Sequence, residues 1–264
     1  MKSLERLRYE TRDHTLELGS RVVHYTVRTP EEVASDEVAL VVPGIMAKRR
    51  LYNPFARDVA ERGVTSVTMA HEGASPVCTD EVIEVVKSLA DDGQKPVRVI
   101  GHSLGGMHAT MAALRAPDDI SGLLLMQPAG YGGVNTFRAL SSLRDRPDNK
   151  HMLDELRVVA DGFDYFVSSP PHVLLQTAYM ASRHDVAEQA RGLDEHIRLD
   201  ALLFPHDRLI SPDKVRRGLT DAGFNLYELD SRVLSGHNAI MYRAEDVADM
   251  AVGIMQSGDY SLVA

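Results

Sequence analysis

The chain has 264 residues, 44% hydrophobic and 25% charged, with 19 Gly and 12 Pro, which excludes a disordered, collagenous or fibrous protein and leaves a core large enough to need no disulfide or metal. The net charge of −9 disfavours non-specific nucleic-acid binding, which depends on neutralising phosphates, so no nucleic-acid partner is expected. The single Cys78 has no partner for a disulfide or zinc cluster, the stretch MKSLERLRYE has no apolar signal-peptide core, and Pro and polar residues interrupt the uncharged stretches 120–137 and 165–182; a soluble, cytoplasmic chain with no transmembrane segment is expected.

In chain order, 15–27 reads as a pair of antiparallel edge strands. Val38–Val42 (VALVV) is an unbroken apolar run, as in a strand covered on both faces, and stops at Pro43-Gly44. A helix follows with Leu51, Phe55 and Val59 four apart and Gly63 as its stop. Residues 64–69 form a short strand. Thr79 reads as the N-cap of a helix with Asp80 and Glu81 in its first turn, and Val82, Val85, Val86, Leu89 and Ala90 make its apolar stripe up to Gly93. A strand at 97–100 leads through GHSLGG into a helix ending near Arg115, and 120–126 is again a strand. Further on come a strand at 199–204, a helix opened by Ser211-Pro212 and stopped by Gly223, a strand at 224–229, and a last helix with the stripe Val247, Met250, Ala251, Ile254 and Met255.

This alternation predicts the α/β class, a mostly parallel sheet flanked by helices. Between 131 and 196 the pattern is helical, with Leu140, Leu143, Leu153, Leu156, Val159 and Phe163, and carries no clear strand. A structureless loop of that length is rare in a compact domain. It is read as a helical cap insertion at 131–196 in a core made of 1–130 and 197–264.

Gly101-His102-Ser103-Leu104-Gly105 is G-x-S-x-G. The five residues alone are a weak signal. Their setting, after an apolar strand and at the opening of a helix, is that of a nucleophile elbow. A sharp turn there needs small residues two before and two after the serine. It also places the serine oxygen near the N-terminus of the next helix, where amides and the dipole favour negative charge. Cys78 reads as a small buried or loop residue and not as a rival nucleophile. His71-Glu72 lacks the second histidine of a metal motif and reads as part of a glycine-rich loop.

With this motif in place, the chain resembles the α/β-hydrolase fold family over about residues 38–255: an oxyanion loop after an early strand, GHSLGG, a helical insertion, a late Asp and a late His. The family order of serine, acid and histidine implies His237, in Ser235-Gly236-His237-Asn238, as the base among eleven histidines. His206 is a rival, while His102 beside the serine would point elsewhere. The resemblance implies Asp207, in Phe204-Pro205-His206-Asp207-Arg208, as the acid, with a local pair to Arg208 as the alternative. The other acid position used in the family reads Met126-Gln127-Pro128 and offers no carboxylate. For the oxyanion hole it implies the backbone N–H groups of Leu104 and Ile45, with Met46 as the alternative to Ile45. Pro43 stands where the family usually has His.

The implied activity is that of a cofactor-free serine hydrolase cleaving carboxylic esters of small to medium hydrophobic substrates through an acyl-enzyme, its partner a small-molecule acyl substrate. The same triad serves thioesterases, monoacylglycerol lipases and carbon–carbon bond hydrolases; a membrane-surface lipase and a non-turnover ligand-binding receptor are further alternatives. A serine nucleophile argues against dehalogenase and epoxide hydrolase relatives, which use Asp. No cofactor or metal is implied. Lys48-Arg49-Arg50 is either a solvated helix start or a patch attracting an anionic substrate. Phe163, Phe166, Leu174, Leu175, Tyr179 and Met180 either line an acyl pocket, with Met126, or hold the cap to the sheet.

Overall fold

The computed structural model describes residues 6–19, 21–44, 49–70, 78–91, 96–132, 185–207, 209–229 and 236–257. These build an eight-stranded sheet from β1 (Tyr9–Leu18), β2 (Arg21–Pro30), β3 (Val38–Val42), β4 (Thr65–Ala70), β5 (Val97–His102), β6 (Ile120–Met126), β7 (Arg198–Leu203) and β8 (Asn225–Glu228). Their order across the sheet is β1-β2-β4-β3-β5-β6-β7-β8. β1 and β2 are antiparallel, as are β2 and β4; every other neighbouring pair is parallel. The helices are α1 (Arg49–Ala60), α2 (Thr79–Asp91), α3 (Leu104–Arg115), α4 (Ala187–Ala190), α5 (Pro212–Asp221), α6 (Ala239–Tyr242) and α7 (Ala244–Ser257).

The apolar runs are unbroken because both faces are covered. Val38, Leu40 and Val42 of β3 join Val99, Leu123 and Leu125 on one face, under Val82 and Val86 of α2 and Ala109 and Ala113 of α3. Ala39 and Val41 join Ile100, Leu124 and Leu202 on the other, under Tyr52 and Phe55 of α1 and Val247 and Ile254 of α7. Each aliphatic side chain buried in this way contributes about 1.5–3 kcal/mol.

A charged pair, Arg98 and Asp200, stands inside this apolar sheet. Arg98 on β5 is buried, and its Nη1 donates to Asp200 Oδ2 on β7 at 3.1 Å while Nη2 donates to Glu37 Oε1 at 3.1 Å. Arg198 Nε adds an ion pair to the same Asp200 oxygen at 2.7 Å. Gly122, the register partner of Arg98 on the intervening β6, leaves the space: a Cβ there would lie 3.3 Å from the guanidinium carbon. Charges this deep persist only when paired.

Two expected boundaries move. The edge pair, expected at 15–27, runs from Tyr9 to Pro30 around a turn at Gly19 with φ 62°. Most β1 side chains are exposed, so the strand carries little apolar signal. Thr79 lies inside α2 and does not cap it. Cys78 holds that place: its N–H donates to Glu81 Oε2 at 3.0 Å and its carbonyl accepts from Val82 N–H at 3.2 Å, as in half of a capping box. The Thr79 hydroxyl instead pairs with His108 Nδ1 at 3.0 Å. Ser211-Pro212 does open α5, as N-cap and first helical residue.

Most of the expected insertion lies outside the described residues, as do its apolar residues from Leu140 to Met180, and so do Lys48 and His71 to Ser75. The described chain resumes at Asp185 and enters α4. Among the described residues no helix is long and apolar enough to cross a membrane.

Candidate active site

Ser103 follows directly on β5 and precedes α3, with φ 54° and ψ −123°. A non-glycine residue at positive φ is strained, and persists where its surroundings over-determine it. The glycines around it are explained by contact. A Cβ on Gly101 would stand 2.6 Å from Gly106 Cα, one on Gly105 would fall on the carbonyl oxygen of Val42, and one on Gly106 would meet Pro128 Cβ at 2.5 Å. The elbow is therefore pressed against the end of β3 on one side and the chain after β6 on the other. Gly44, just past β3, faces the serine, since a Cβ there would lie 3.0 Å from Ser103 Cβ.

The structure brings Ser103, His237 and Asp207 into one hydrogen-bonded row. Ser103 Oγ lies 2.9 Å from His237 Nε2, and His237 Nδ1 lies 2.6 Å from Asp207 Oδ2. All three residues are buried. Asp207 sits in the turn after β7, where its Oδ1 accepts from the N–H groups of Leu209 at 2.7 Å and Ile210 at 3.0 Å. His237 lies ahead of α6, on a chain whose Gly236 N–H donates to Tyr242 Oη at 3.0 Å. His206 flanks Asp207 and is exposed; it is His237 that reaches Ser103. A hydroxyl against a buried imidazole backed by a carboxylate can lose its proton to that imidazole. Leu104 is buried as the first residue of α3, where an N–H has no intrahelical acceptor by position. Ile45 and Met46 lie outside the described residues.

Two residues that motif reading passes over shape this site. Gln127, at φ 43°, is fully buried at the end of β6. Its Oε1 accepts from Phe204 N–H at 2.9 Å and its Nε2 donates to the carbonyl of Ile210 at 3.0 Å, so it spans the loop that carries Asp207. Tyr52 of α1 is also fully buried. Its hydroxyl accepts from Gly44 N–H at 2.8 Å and meets His102 Nδ1 at 2.6 Å. His102 itself turns away from the serine and sets its Nε2 2.9 Å from the carbonyl oxygen of His237. Burial and the neighbouring His237 ring hold the His102 pKa well below 6.5, and burial raises that of Tyr52. In sequence a tyrosine on a helix stripe reads as core, and an amide after a strand carries no motif.

Comparison with known proteins agrees with this frame. The alpha/beta hydrolase family matches residues 39–250, which run from β3 into α7. Over 115 residues the chain is 30% identical to lipase LipV of Mycobacterium tuberculosis, a match covering 41% of this chain and 44% of that lipase, so under half of the curated relative's length is spanned. A hydrolase from Pseudomonas aeruginosa superposes with a TM-score of 0.68 at 14% identity, covering 93% of this chain and 98% of that one. The thioesterase domain from the curacin biosynthetic pathway does so with 0.62 at 14% identity, covering 92% and 99%. At such identities the likeness to solved structures is one of fold. With the family match covering most of the chain, this protein belongs to the alpha/beta hydrolase family.

Proposed function

We propose that the chain is a serine hydrolase that cleaves carboxylic esters of small to medium hydrophobic substrates through an acyl-enzyme. The observation that supports this most is the buried row from Ser103 Oγ through His237 to Asp207, at 2.9 Å and 2.6 Å. Ser103 attacks the acyl carbon while His237 Nε2 takes the hydroxyl proton and passes it to the leaving alcohol. His237 then draws a proton from water as that water attacks the acyl-enzyme, and gives it to Ser103 Oγ as the bond to the acyl carbon breaks and the acid leaves. Asp207 accepts from His237 Nδ1–H, which keeps Nε2 free to face the serine and offsets the imidazolium charge.

The oxyanion is assigned to the backbone N–H groups of Leu104 and Ile45. Gly44 N–H is given to Tyr52, so the task passes to the next amide along that loop. The insertion at 131–196 would roof the site and select apolar acyl or alcohol groups.

The test is turnover of p-nitrophenyl esters of graded chain length beside matched acyl thioesters, for the wild type and Ser103→Ala. Ester hydrolysis lost in Ser103→Ala is expected. Hydrolysis that survives in that variant sinks the mechanism, and a strong thioester preference moves the reading to a thioesterase.

A further inference from the structure

Behind the nucleophile runs a hydrogen-bond chain that none of the acyl-transfer steps uses. Gly44 N–H meets Tyr52 Oη at 2.8 Å, Tyr52 Oη meets His102 Nδ1 at 2.6 Å, and His102 Nε2 meets the carbonyl oxygen of His237 at 2.9 Å. Its two ends decide every proton between them. An amide N–H only donates and a carbonyl oxygen only accepts. His102 therefore carries its proton on Nε2 and donates it to His237. Its Nδ1 accepts from the Tyr52 hydroxyl, whose oxygen accepts in turn from Gly44.

No other arrangement satisfies all the groups, and burial keeps bulk solvent from replacing a missing partner. A protonated His102 would also place a cation beside the His237 ring, whose centroid is 4.9 Å away. The ends of the chain are the parts of the site whose positions matter. Gly44 faces Ser103 and leads into the oxyanion loop, and His237 carries the base.

We infer that Tyr52 and His102 are positioning residues for this reaction, forming one chain that sets the oxyanion loop at Gly44 and the backbone of His237 relative to Ser103. The inference rests on the esterase reading above for its kinetic consequence, though not for the chain itself. Neither residue touches substrate. They act by fixing two groups on opposite sides of the serine with a shared set of bonds.

The variants Tyr52→Phe, His102→Leu, His102→Gln and the double variant Tyr52→Phe/His102→Leu test it, each with kcat, KM, thermal unfolding and the NMR shifts of the ring nitrogens. His102→Leu is expected to lower kcat about 10²-fold with KM unchanged, the scale of a small misplacement of reacting groups. A glutamine amide reaches as far as Nε2 and carries donors, so His102→Gln recovers most of that loss. Tyr52→Phe lowers kcat about tenfold, the scale of one buried hydrogen bond. The double variant is no worse than His102→Leu alone, because a chain broken twice is lost only once.

A His102→Gln variant as slow as His102→Leu at equal stability overturns the proposal. Losses that multiply in the double variant overturn it too, as do losses that follow melting temperature alone. The NMR arm stands apart from ester turnover. A wild-type His102 ring protonated on Nδ1 overturns the chain whatever the activity. If the wild type cleaves no ester, it is the esterase reading that fails. The coupling is then read from His237 ring signals, which are expected to move in His102→Leu and to stay in His102→Gln; signals that stay in both overturn it.

Discussion

Ala129 donates its backbone N–H to the carbonyl oxygen of Ser103 at 2.9 Å. With Ser103 N–H on Met126 O at 3.2 Å and Gly106 N–H on Ser103 O at 3.0 Å, this bond closes a three-point hold on a residue at φ 54°. Such a conformation costs a side-chain-bearing residue about 1–3 kcal/mol. Ser103→Ala and Ser103→Gly both delete the hydroxyl, and only glycine relieves the backbone. The glycine variant is expected to be the more stable by roughly 1 kcal/mol after its extra chain entropy, and both are expected to lack activity. Chemical denaturation of the pair checks this; a glycine variant less stable than the alanine variant would mean that the turn stores no strain beyond glycine's extra chain entropy.

Gln127 holds Phe204 and Ile210, the two ends of the loop that carries Asp207. Gln127→Leu strands a buried N–H and a buried carbonyl, each costing about 1–3 kcal/mol. The expected result is a less stable protein whose kcat falls more than its KM changes. Gln127→Glu keeps the acceptor for Phe204 and gives Ile210 a donor only when the new carboxyl is protonated. Its stability relative to wild type should therefore improve as pH falls, which unfolding measured at several pH values would show.

His102 is held neutral by burial and by the His237 ring, with its pKa well below the 6.5 of an ordinary histidine. The unfolded chain regains an ordinary histidine and binds the proton first. Stability from this group is thus present above about pH 6.5 and lost as pH falls below it, by up to about 1.4 kcal/mol per pH unit. Denaturant midpoints measured across that range should decline on the acid side, and less steeply in His102→Gln. Parallel slopes in the two proteins would refute the assignment.

Asp200 shares its oxygens among Arg98, Arg198 and Asn225 inside the sheet. Asp200→Ala leaves Arg98 buried with one carboxylate fewer, and removing one partner of a buried pair costs about 3–5 kcal/mol. Arg98 lies near the start of β5 and Ser103 just past its end. The variant should therefore melt early while its turnover per folded molecule is unchanged, as active-site titration with a fluorophosphonate would show.

What could be read from residues alone was whatever left a periodic or steric trace. VALVV and the stripes of α2 and α7 reflect burial on both faces of one sheet. The glycines of GHSLGG each answer to a contact that a methyl group would violate. The start of β1 leaves no trace because its side chains there mostly face water, nor does the cap at Cys78, because a backbone N–H and a glutamate replace the expected threonine. Arg98 carries no local signal because its partners lie elsewhere in the chain, Glu37 just ahead of β3 and Asp200 102 residues away. Asp207 and His237 were singled out only by likeness to a family, since no local spacing links them to Ser103. Tyr52 and Gln127 act through shape and donor direction, which a linear string does not display.

Ser103 and His237 are separated by 134 residues, and Asp207 by 30 from His237. The strands that deliver them, β5 to β8, stand side by side only after every parallel pairing between them has formed. Parallel pairing across long loops is intrinsically slow. A chain in which β5 and β6 have paired ahead of β7 holds a finished elbow with neither base nor acid beside it. On the proposed mechanism such a chain carries an inert serine, and nucleophilicity arrives only with the strands that bring Asp207 and His237.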